Sequence, residues 1–173
     1  APILHNRVIT PMPQILHDDQ VRQLLSAAKE LMNGEHTDPR PYLLTSLLLQ
    51  TGIKKGECMG IALNDIDRSD PQAPVLYIRY KNPRMHHKER KLALGTDLMP
   101  VLDRYLAAYQ ADRSLFECTA RNLEYVLRDT ADLAGLHDGV SFEMLRWTCA
   151  VRDFRSGIDP EHLRKKQGLS KIS

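Results

Sequence analysis

Cationic side chains dominate the segments of this chain that could do chemistry. Lys54 and Lys55 come directly after the Thr-Gly that ends an apolar run, in TGIKKGECMGI at residues 51–61. A second segment, YIRYKNPRMHHKERK at residues 77–91, holds six Lys or Arg against one Glu. Such clusters raise the local potential where an anion could dock, although a solvated charged face is the commoner meaning of a charge run. Whether Lys54 lies where a phosphate would be bound is the first question that the sequence raises.

Composition bounds the class of protein. The 173 residues are 42% apolar and 27% charged, which is typical of one soluble globular domain. A net charge of +2 is too small to indicate nucleic-acid binding by itself. Cys58, Cys118 and Cys149 are widely spaced without a CxxC motif, so we predict core thiols and neither disulfides nor a zinc site. No metal or cofactor is expected, and the lack of a signal peptide or membrane-spanning run predicts a cytoplasmic protein.

Periodicity predicts a mainly α protein with one small antiparallel β-sheet, an α+β arrangement. Residues 1–16 contain three prolines and are predicted to be a connector or arm. The helix over residues 42–50 is apolar nearly all round and is expected at the centre of the core. PVLYIRYK and RKLAL predict a hairpin with a long basic loop. Other helices are predicted over residues 18–32, 54–61, 96–110, 121–136, 142–156 and 159–168, the last two capped by Ser141 and Asp159.

Four blocks of the sequence resemble the catalytic domain of the tyrosine recombinases, the phage integrase family. LLLQTGIKKGECMGIALNDID is similar to the block in which Thr-Gly, an apolar residue and an arginine precede a glutamate. YIRYKNPRMHHKERKLAL resembles the lysine-bearing hairpin. VSFEMLRWTCAVRDFRSGID is similar to the helix that carries His-x-Leu-Arg, and HLRKKQGLSKIS to the Leu-Gly-His-Ser segment. The order and spacing of the blocks carry the resemblance, which runs from about Ile15 to the last residue.

The resemblance implies a fold, a substrate and a mechanism. An integrase-like catalytic domain would occupy residues 17–173, lacking the tyrosine-bearing C-terminal segment. In the family a tyrosine attacks a DNA phosphodiester, two arginines hold the phosphate, and a lysine protonates the leaving oxygen. Histidines supply further hydrogen bonds and proton transfer, and no metal or nucleotide cofactor takes part. Double-stranded DNA is the implied partner, bound by a homo-oligomer, with no membrane involved.

Carried over by position, the cationic residues of the family fall on Lys54, Lys81 and Arg146. Lys54 replaces the first arginine and keeps the charge without the bidentate donor fork. The hairpin lysine is best matched by Lys81, with Lys88 as a rival in a loop longer than usual. Arg146 matches the second arginine. We therefore predict that Lys54, Lys81 and Arg146 converge on one pocket sized for a backbone phosphate.

Two further positions depart from the family pattern and imply an impaired site. Glu143 stands for the histidine before the second arginine, and Leu169 stands for the histidine of the Gly-His-Ser segment. A carboxylate repels a phosphate, and a leucine side chain can neither donate nor accept a hydrogen bond. Glu143 could instead form a salt bridge with Arg146 or Lys54. The nucleophilic tyrosine of the family is expected beyond Ser173.

The leading hypothesis is a DNA-binding integrase-family domain that takes part in DNA integration or site-specific recombination and is unable to cleave DNA by itself. One alternative is an active strand transferase in the full-length protein, with its tyrosine beyond Ser173. Another alternative is a protein-assembly module that keeps only the fold. Contacts with the DNA backbone are expected from the hairpin residues Arg79, Arg84, Lys88, Arg90 and Lys91.

Overall fold

The computed structural model describes residues 14–170, which contain mainly helices and one small sheet. The predicted mainly α class with a small antiparallel sheet is confirmed. The helices are α1 (Asp18–Asn33), α2 (Arg40–Thr51), α3 (Lys55–Met59), α4 (Leu98–Tyr109), α5 (Ala120–Leu133), α6 (Phe142–Arg155) and α7 (Pro160–Gln167). The strands are β1 (Ile66–Asp67), β2 (Val75–Ile78) and β3 (Arg90–Ala93).

The predicted connector over residues 1–16 lies mostly outside the described residues. Its last residue, Leu16, is buried, and the Leu16 amide donates a hydrogen bond of 2.9 Å to the Thr148 hydroxyl on α6. The chain is therefore already anchored to the domain at residue 16. Residues 171–173 also lie outside the described part.

Helix α2 lies at the centre of the core, as its all-round apolar pattern predicts. Leu44 and Leu48 are completely buried, and α2 packs against α1, α4, α5 and α6. Because other helices enclose α2, the position and direction of its C-terminus are fixed. That terminus ends at Gly52, whose left-handed conformation (φ 64°) turns the chain sharply into α3.

The sheet has the order β1-β2-β3 and is antiparallel throughout, with Leu76 opposite Leu92 and Tyr77 opposite Lys91. The loop between β2 and β3 contains a 3₁₀ helix, Pro83–Lys88, which the sequence analysis did not predict. Asn82 caps it by accepting a 3.0 Å hydrogen bond from the Arg84 amide, and Pro83 supplies a preset φ at its first position. The compact helix ends at Lys88, so this lysine and not the loop tip is brought back to the body of the domain.

Helices α6 and α7 begin at the predicted caps. The Ser141 hydroxyl accepts from the Met144 amide at 3.1 Å, and the Asp159 carboxylate accepts from the His162 amide at 3.0 Å. These caps fix the start of both helices that flank the candidate site.

Free cysteines, possible metal ligands and long apolar helices were each considered as pointers to function. Cys58 and Cys149 are buried free thiols, and burial raises the pKa of each to about 12, which makes them inert core residues. Across residues 14–170, no cluster of His, Cys, Asp or Glu has the makings of a metal site. None of the described helices is long and apolar enough to cross a bilayer.

Candidate functional site

Lys54 stands at the entrance of a cavity of 740 Å³ between α3, α5 and the start of α6. It is the N-cap residue of α3, and its amide donates a 2.9 Å hydrogen bond to the Glu57 carboxylate. The residue is half-buried. Burial first, and then the positive charges of Lys88 and Arg146, lower the pKa of Lys54, while Glu57 partly offsets this. Because the neighbours of this ammonium group are also cations, binding of an anion beside it is favourable.

Arg146 lines the same cavity and is held there by backbone carbonyls. It is 7% exposed, and its Nη1 and Nη2 groups donate to Gly52 O at 2.7 Å and to Gln167 O at 2.6 Å. Burial lowers the pKa of Arg146, and the nearby Glu57 carboxylate acts in the opposite direction. Each Nη group keeps one further N–H. The guanidinium is therefore fixed in orientation and can still donate hydrogen bonds to a ligand.

Of the two hairpin lysines weighed from the sequence, Lys88 is the one whose charge acts on Lys54. The nearby positive charge of Lys88 helps to lower the pKa of Lys54, although Lys88 itself is not part of the cavity lining. Lys81 is exposed at the start of the loop and is not part of the cavity lining. Of the three residues predicted to converge, Lys54 and Arg146 both line the cavity, and Lys81 does not. We call Lys54, Arg146 and the neighbouring Lys88 the cation cluster. The 3₁₀ helix leaves Lys81 exposed before its start and Lys88 half-buried at its end.

The two altered positions also face the cavity. Glu143 is exposed in the first turn of α6, and Leu169 is 44% exposed after α7; both are lining residues. Within the described part of the chain Glu143 forms no salt bridge with Arg146 or Lys54, so the pairing considered from the sequence is wrong. Its carboxylate instead stands at the cavity wall.

Arg90 has a different environment from the one expected for a DNA contact. Its side chain is 8% exposed and forms a bidentate ion pair with Glu57, whose side chain is 3% exposed, with N–O distances of 2.6 and 2.9 Å. Tyr80 also donates to this carboxylate through a short hydrogen bond. A guanidinium buried in this way cannot reach DNA, so the DNA-contact hypothesis for Arg90 is withdrawn.

The remaining hairpin residues lie on the surface away from the cavity. Arg79 forms a 3.0 Å ion pair with Asp65 and lies 4.8 Å from the ring centre of Tyr77. Lys91 approaches the same ring at 5.9 Å, and Arg84 is exposed on the 3₁₀ helix. They are a separate basic surface, and none of them lines the cavity.

Helix α5 contributes cationic residues that the sequence analysis passed over. Arg121 and Arg128 lie 5.4 and 4.6 Å from the ring centre of Tyr125, and the Arg121 Nε donates to the Tyr125 hydroxyl at 2.8 Å. Tyr125 and Arg128 also line the cavity. We call Arg121, Tyr125 and Arg128 the arginine–tyrosine stripe. Their i, i+4, i+7 spacing, on the polar side of α5, is the sequence signal that could have identified them.

The Glu57 carboxyl makes the stability of this region depend on pH. Burial alone would raise its pKa, but hydrogen bonds from Arg90, the Lys54 amide and Tyr80 lower it from 4.5 to about 2. Between these values the unfolded chain binds the proton and the folded chain does not, so stability falls as the pH falls. We expect a loss on the order of 3 kcal/mol in the free energy of unfolding between about pH 5 and pH 2 from this group.

Urea unfolding at a series of pH values measures this effect. Glu57→Gln should remove much of the pH dependence, because glutamine does not titrate. Glu124→Gln is the matched control, since Glu124 is half exposed in its ion pair with Lys55. An unchanged pH profile in Glu57→Gln would contradict the prediction.

Comparison with known proteins identifies the family of the chain. Residues 14–173 match the sequence profile of the phage integrase family. The chain belongs to the phage integrase family. The tyrosine recombinase XerD of Mycobacterium leprae is 26% identical to it over 184 residues, covering 94% of this chain and 55% of XerD. This integrase-family chain thus spans little more than half the length of that relative.

Solved structures show the same fold. The crystal structure of XerA recombinase superposes with a TM-score of 0.76 at 24% identity, covering 94% of the integrase-family chain and 57% of XerA. A XerH site-specific recombinase, solved in a pre-cleavage complex with its difH substrate, gives a TM-score of 0.76 at 17% identity, covering 92% of this chain and 48% of XerH. The predicted integrase-like catalytic-domain fold is confirmed.

Proposed function

We propose that this chain is the phosphate-binding domain of a DNA recombinase or integrase, and that its site binds DNA without cleaving it efficiently. The observation that carries the proposal is that Lys54 and Arg146, from the start of α3 and from α6, line one open cavity, with Lys88 of the hairpin beside Lys54. Three positive charges without an acid ion-paired to any of them in the described chain are costly unless an anion is bound. A backbone phosphate of double-stranded DNA is the anion that family membership favours.

The direction from which DNA approaches follows from the arginine–tyrosine stripe. Tyr125 and Arg128 form the outer wall of the cavity, and Arg121 continues the same side of α5 one turn further. Arginine is well suited to phosphate contacts, and an exposed tyrosine offers an apolar face with a polar tip. We therefore place the DNA across α5 and the cavity mouth. Arg79, Arg84, Lys81 and Lys91 remain candidates for weaker contacts further along the duplex.

Impaired cleavage follows from the residues that replace the family pattern. Lys54 holds a phosphate as a point charge but cannot present the two parallel donors that stabilise the transition state. The Glu143 carboxylate repels the negative charge that develops in the transition state, and the Leu169 side chain has no hydrogen-bond donor. Loss of one such donor costs about 100- to 1000-fold in rate. The alternative, an active strand transferase in a longer chain, draws support from Arg146, which is intact and already oriented.

The substitution Lys88→Ala tests the DNA-binding proposal and the choice between the two hairpin lysines. We expect it to weaken binding to a random-sequence duplex about 5- to 10-fold near 0.1 M salt, because one phosphate contact is lost. Lys81→Ala is the matched control and should stay within about twofold. Fluorescence anisotropy with a labelled duplex measures both. The reverse ranking would return the role to Lys81, and equal affinities in both variants would remove the hairpin from the interface.

Membership of the phage integrase family also suggests that the protein assembles on DNA. XerH was solved with its DNA substrate, and a lambda integrase was solved as a tetramer on a Holliday junction. We propose that the present chain likewise acts as a homo-oligomer on double-stranded DNA and needs no metal or small-molecule cofactor.

A further inference from the structure

The guanidinium of Arg90 makes contacts with three separate parts of the domain. Its Nη1 and Nη2 bind the two oxygens of Glu57 at 2.6 and 2.9 Å. Its Nε donates to the Lys166 carbonyl at 2.7 Å, and Nη1 donates also to the Lys88 carbonyl at 2.9 Å. One side chain on β3 thereby joins the start of α3, the end of the hairpin loop and the last turn of α7.

Two of these contacts lead directly to members of the cation cluster. The Glu57 oxygen that binds Nη2 also accepts the Lys54 amide at 2.9 Å, so the same carboxylate holds the backbone of Lys54. The Lys88 carbonyl belongs to the second lysine of the cluster. The backbones of Lys54 and Lys88 are therefore tied to opposite sides of one buried ion pair.

The third contact leads to Arg146 through α7. Lys166, whose carbonyl binds Arg90, immediately precedes Gln167, whose carbonyl binds Arg146 at 2.6 Å. Two guanidinium groups thus bind successive carbonyls at the C-terminal end of α7, where the helix dipole favours positive charge. The backbone of Gly168 lies flat against Arg90, because a Cβ there would come within 2.7 Å of Nη1.

We infer that Arg90 is a positioning residue of the phosphate site, which sets the spacing of Lys54, Lys88 and Arg146 without contacting DNA. This inference rests on the proposed function, since it assigns Arg90 a role in that same site. The role requires arginine: one planar fork reaches a carboxylate and two carbonyls at fixed angles. A lysine ammonium donates from a single point and cannot serve all three.

Two simpler roles for Arg90 predict different behaviour. If Arg90 bound a phosphate directly, Arg90→Lys would keep the charge and most of the affinity for DNA. If Arg90 only stabilised the fold, Arg90→Lys would lower the free energy of unfolding but leave the affinity of the folded protein unchanged. A positioning residue predicts a loss of affinity in protein that is still folded.

The first test compares Arg90→Lys with Arg68→Lys. Arg68 also forms a bidentate pair, with Asp103 at 2.6 and 3.1 Å, but outside the cavity. In samples shown by circular dichroism to be folded, we expect Arg90→Lys to lose about 10- to 50-fold in DNA affinity, through misalignment of several charge-assisted contacts. Arg68→Lys should stay within about twofold. Unchanged affinity in folded Arg90→Lys would overturn the inference.

A double-mutant cycle separates positioning from a general loss of stability. If Arg90 acts through Lys54, the affinity lost on Lys54→Ala should be smaller in the Arg90→Lys background than in the wild-type background. Additive losses would show that the two residues act independently and would contradict the inference. Should Arg90→Lys fail to fold, Glu57→Gln makes the same test from the other side of the ion pair, because a neutral amide cannot accept both guanidinium hydrogen bonds.

Hydrogen exchange without DNA distinguishes failure of this inference from failure of the proposed function. The Lys54 amide is protected by Glu57, and the Gly168 and Leu169 amides bond to carbonyls within α7. Arg90→Lys should speed exchange at all three amides, whereas Arg68→Lys should not. If exchange changes in this way but the wild-type protein does not bind DNA, the link through Arg90 stands and the DNA proposal fails. If exchange is unchanged, the positioning role is wrong whatever the protein binds.

Discussion

Raising the salt concentration from about 50 to about 200 mM is expected to weaken DNA binding by this protein about 500-fold. The proposed interface presents five cations to backbone phosphates: the cation cluster and the two arginines of the stripe. Each phosphate contact releases condensed counterions, so a log–log plot of affinity against salt should have a slope of about −4.5. Because backbone contacts carry no base information, a random-sequence duplex is sufficient for the measurement.

Variants test which residues produce the slope of the salt dependence. Replacing Arg121 and Arg128 together by alanine should make the slope shallower by about two units. Arg68→Ala is the control, because Arg68 is paired with Asp103 and does not line the cavity. A nearly flat salt dependence, or no binding at low salt, would favour the assembly-module alternative in place of the DNA-binding function.

Restoring the family residues at three positions is expected to increase covalent capture of DNA by at least about 100-fold in the full-length protein. The changes are Lys54→Arg, Glu143→His and Leu169→His, which return the donor fork and the two imidazoles. All three of these positions already line the cavity. Arg146 needs no change, because two carbonyls already hold its fork in place.

A nicked duplex that traps the covalent intermediate provides the measurement, with denaturing gels to detect the protein–DNA adduct. The control is DNA affinity, which should differ little between the two proteins, because both carry positive charge at position 54. An adduct formed equally fast by the unmodified protein would overturn the proposed impairment and establish the strand-transferase alternative. An adduct from neither protein would show that these three positions are not what prevents cleavage.

Local signals in the sequence were sufficient for most of the fold. The caps at Ser141 and Asp159 depend on neighbours three residues away, and both form as predicted. The all-round apolar pattern of α2 requires burial on every side, and the structure places it there. The 3₁₀ helix over Pro83–Lys88 was missed, because polar residues in a loop carry no periodicity from which to infer it.

The candidate site was only partly predictable, because its partnerships span long separations in sequence. Lys54 and Arg146 were found from motif positions, and the structure brings them to one cavity. Which hairpin lysine joins them depends on how the loop folds, and we propose Lys88 because its charge acts on Lys54. Arg90 appeared to be one more basic residue of the hairpin until the structure paired it with Glu57, 33 positions earlier.

The sequence by itself therefore determined the family, the helical framework and the chemical identity of the altered positions, because each depends on residue type and near-neighbour spacing. Only the tertiary structure decided which charges are free and which are neutralised. Burial and pairing distinguish Arg90 from Lys88, two residues apart in the chain, and neither property can be assigned before the chain is folded.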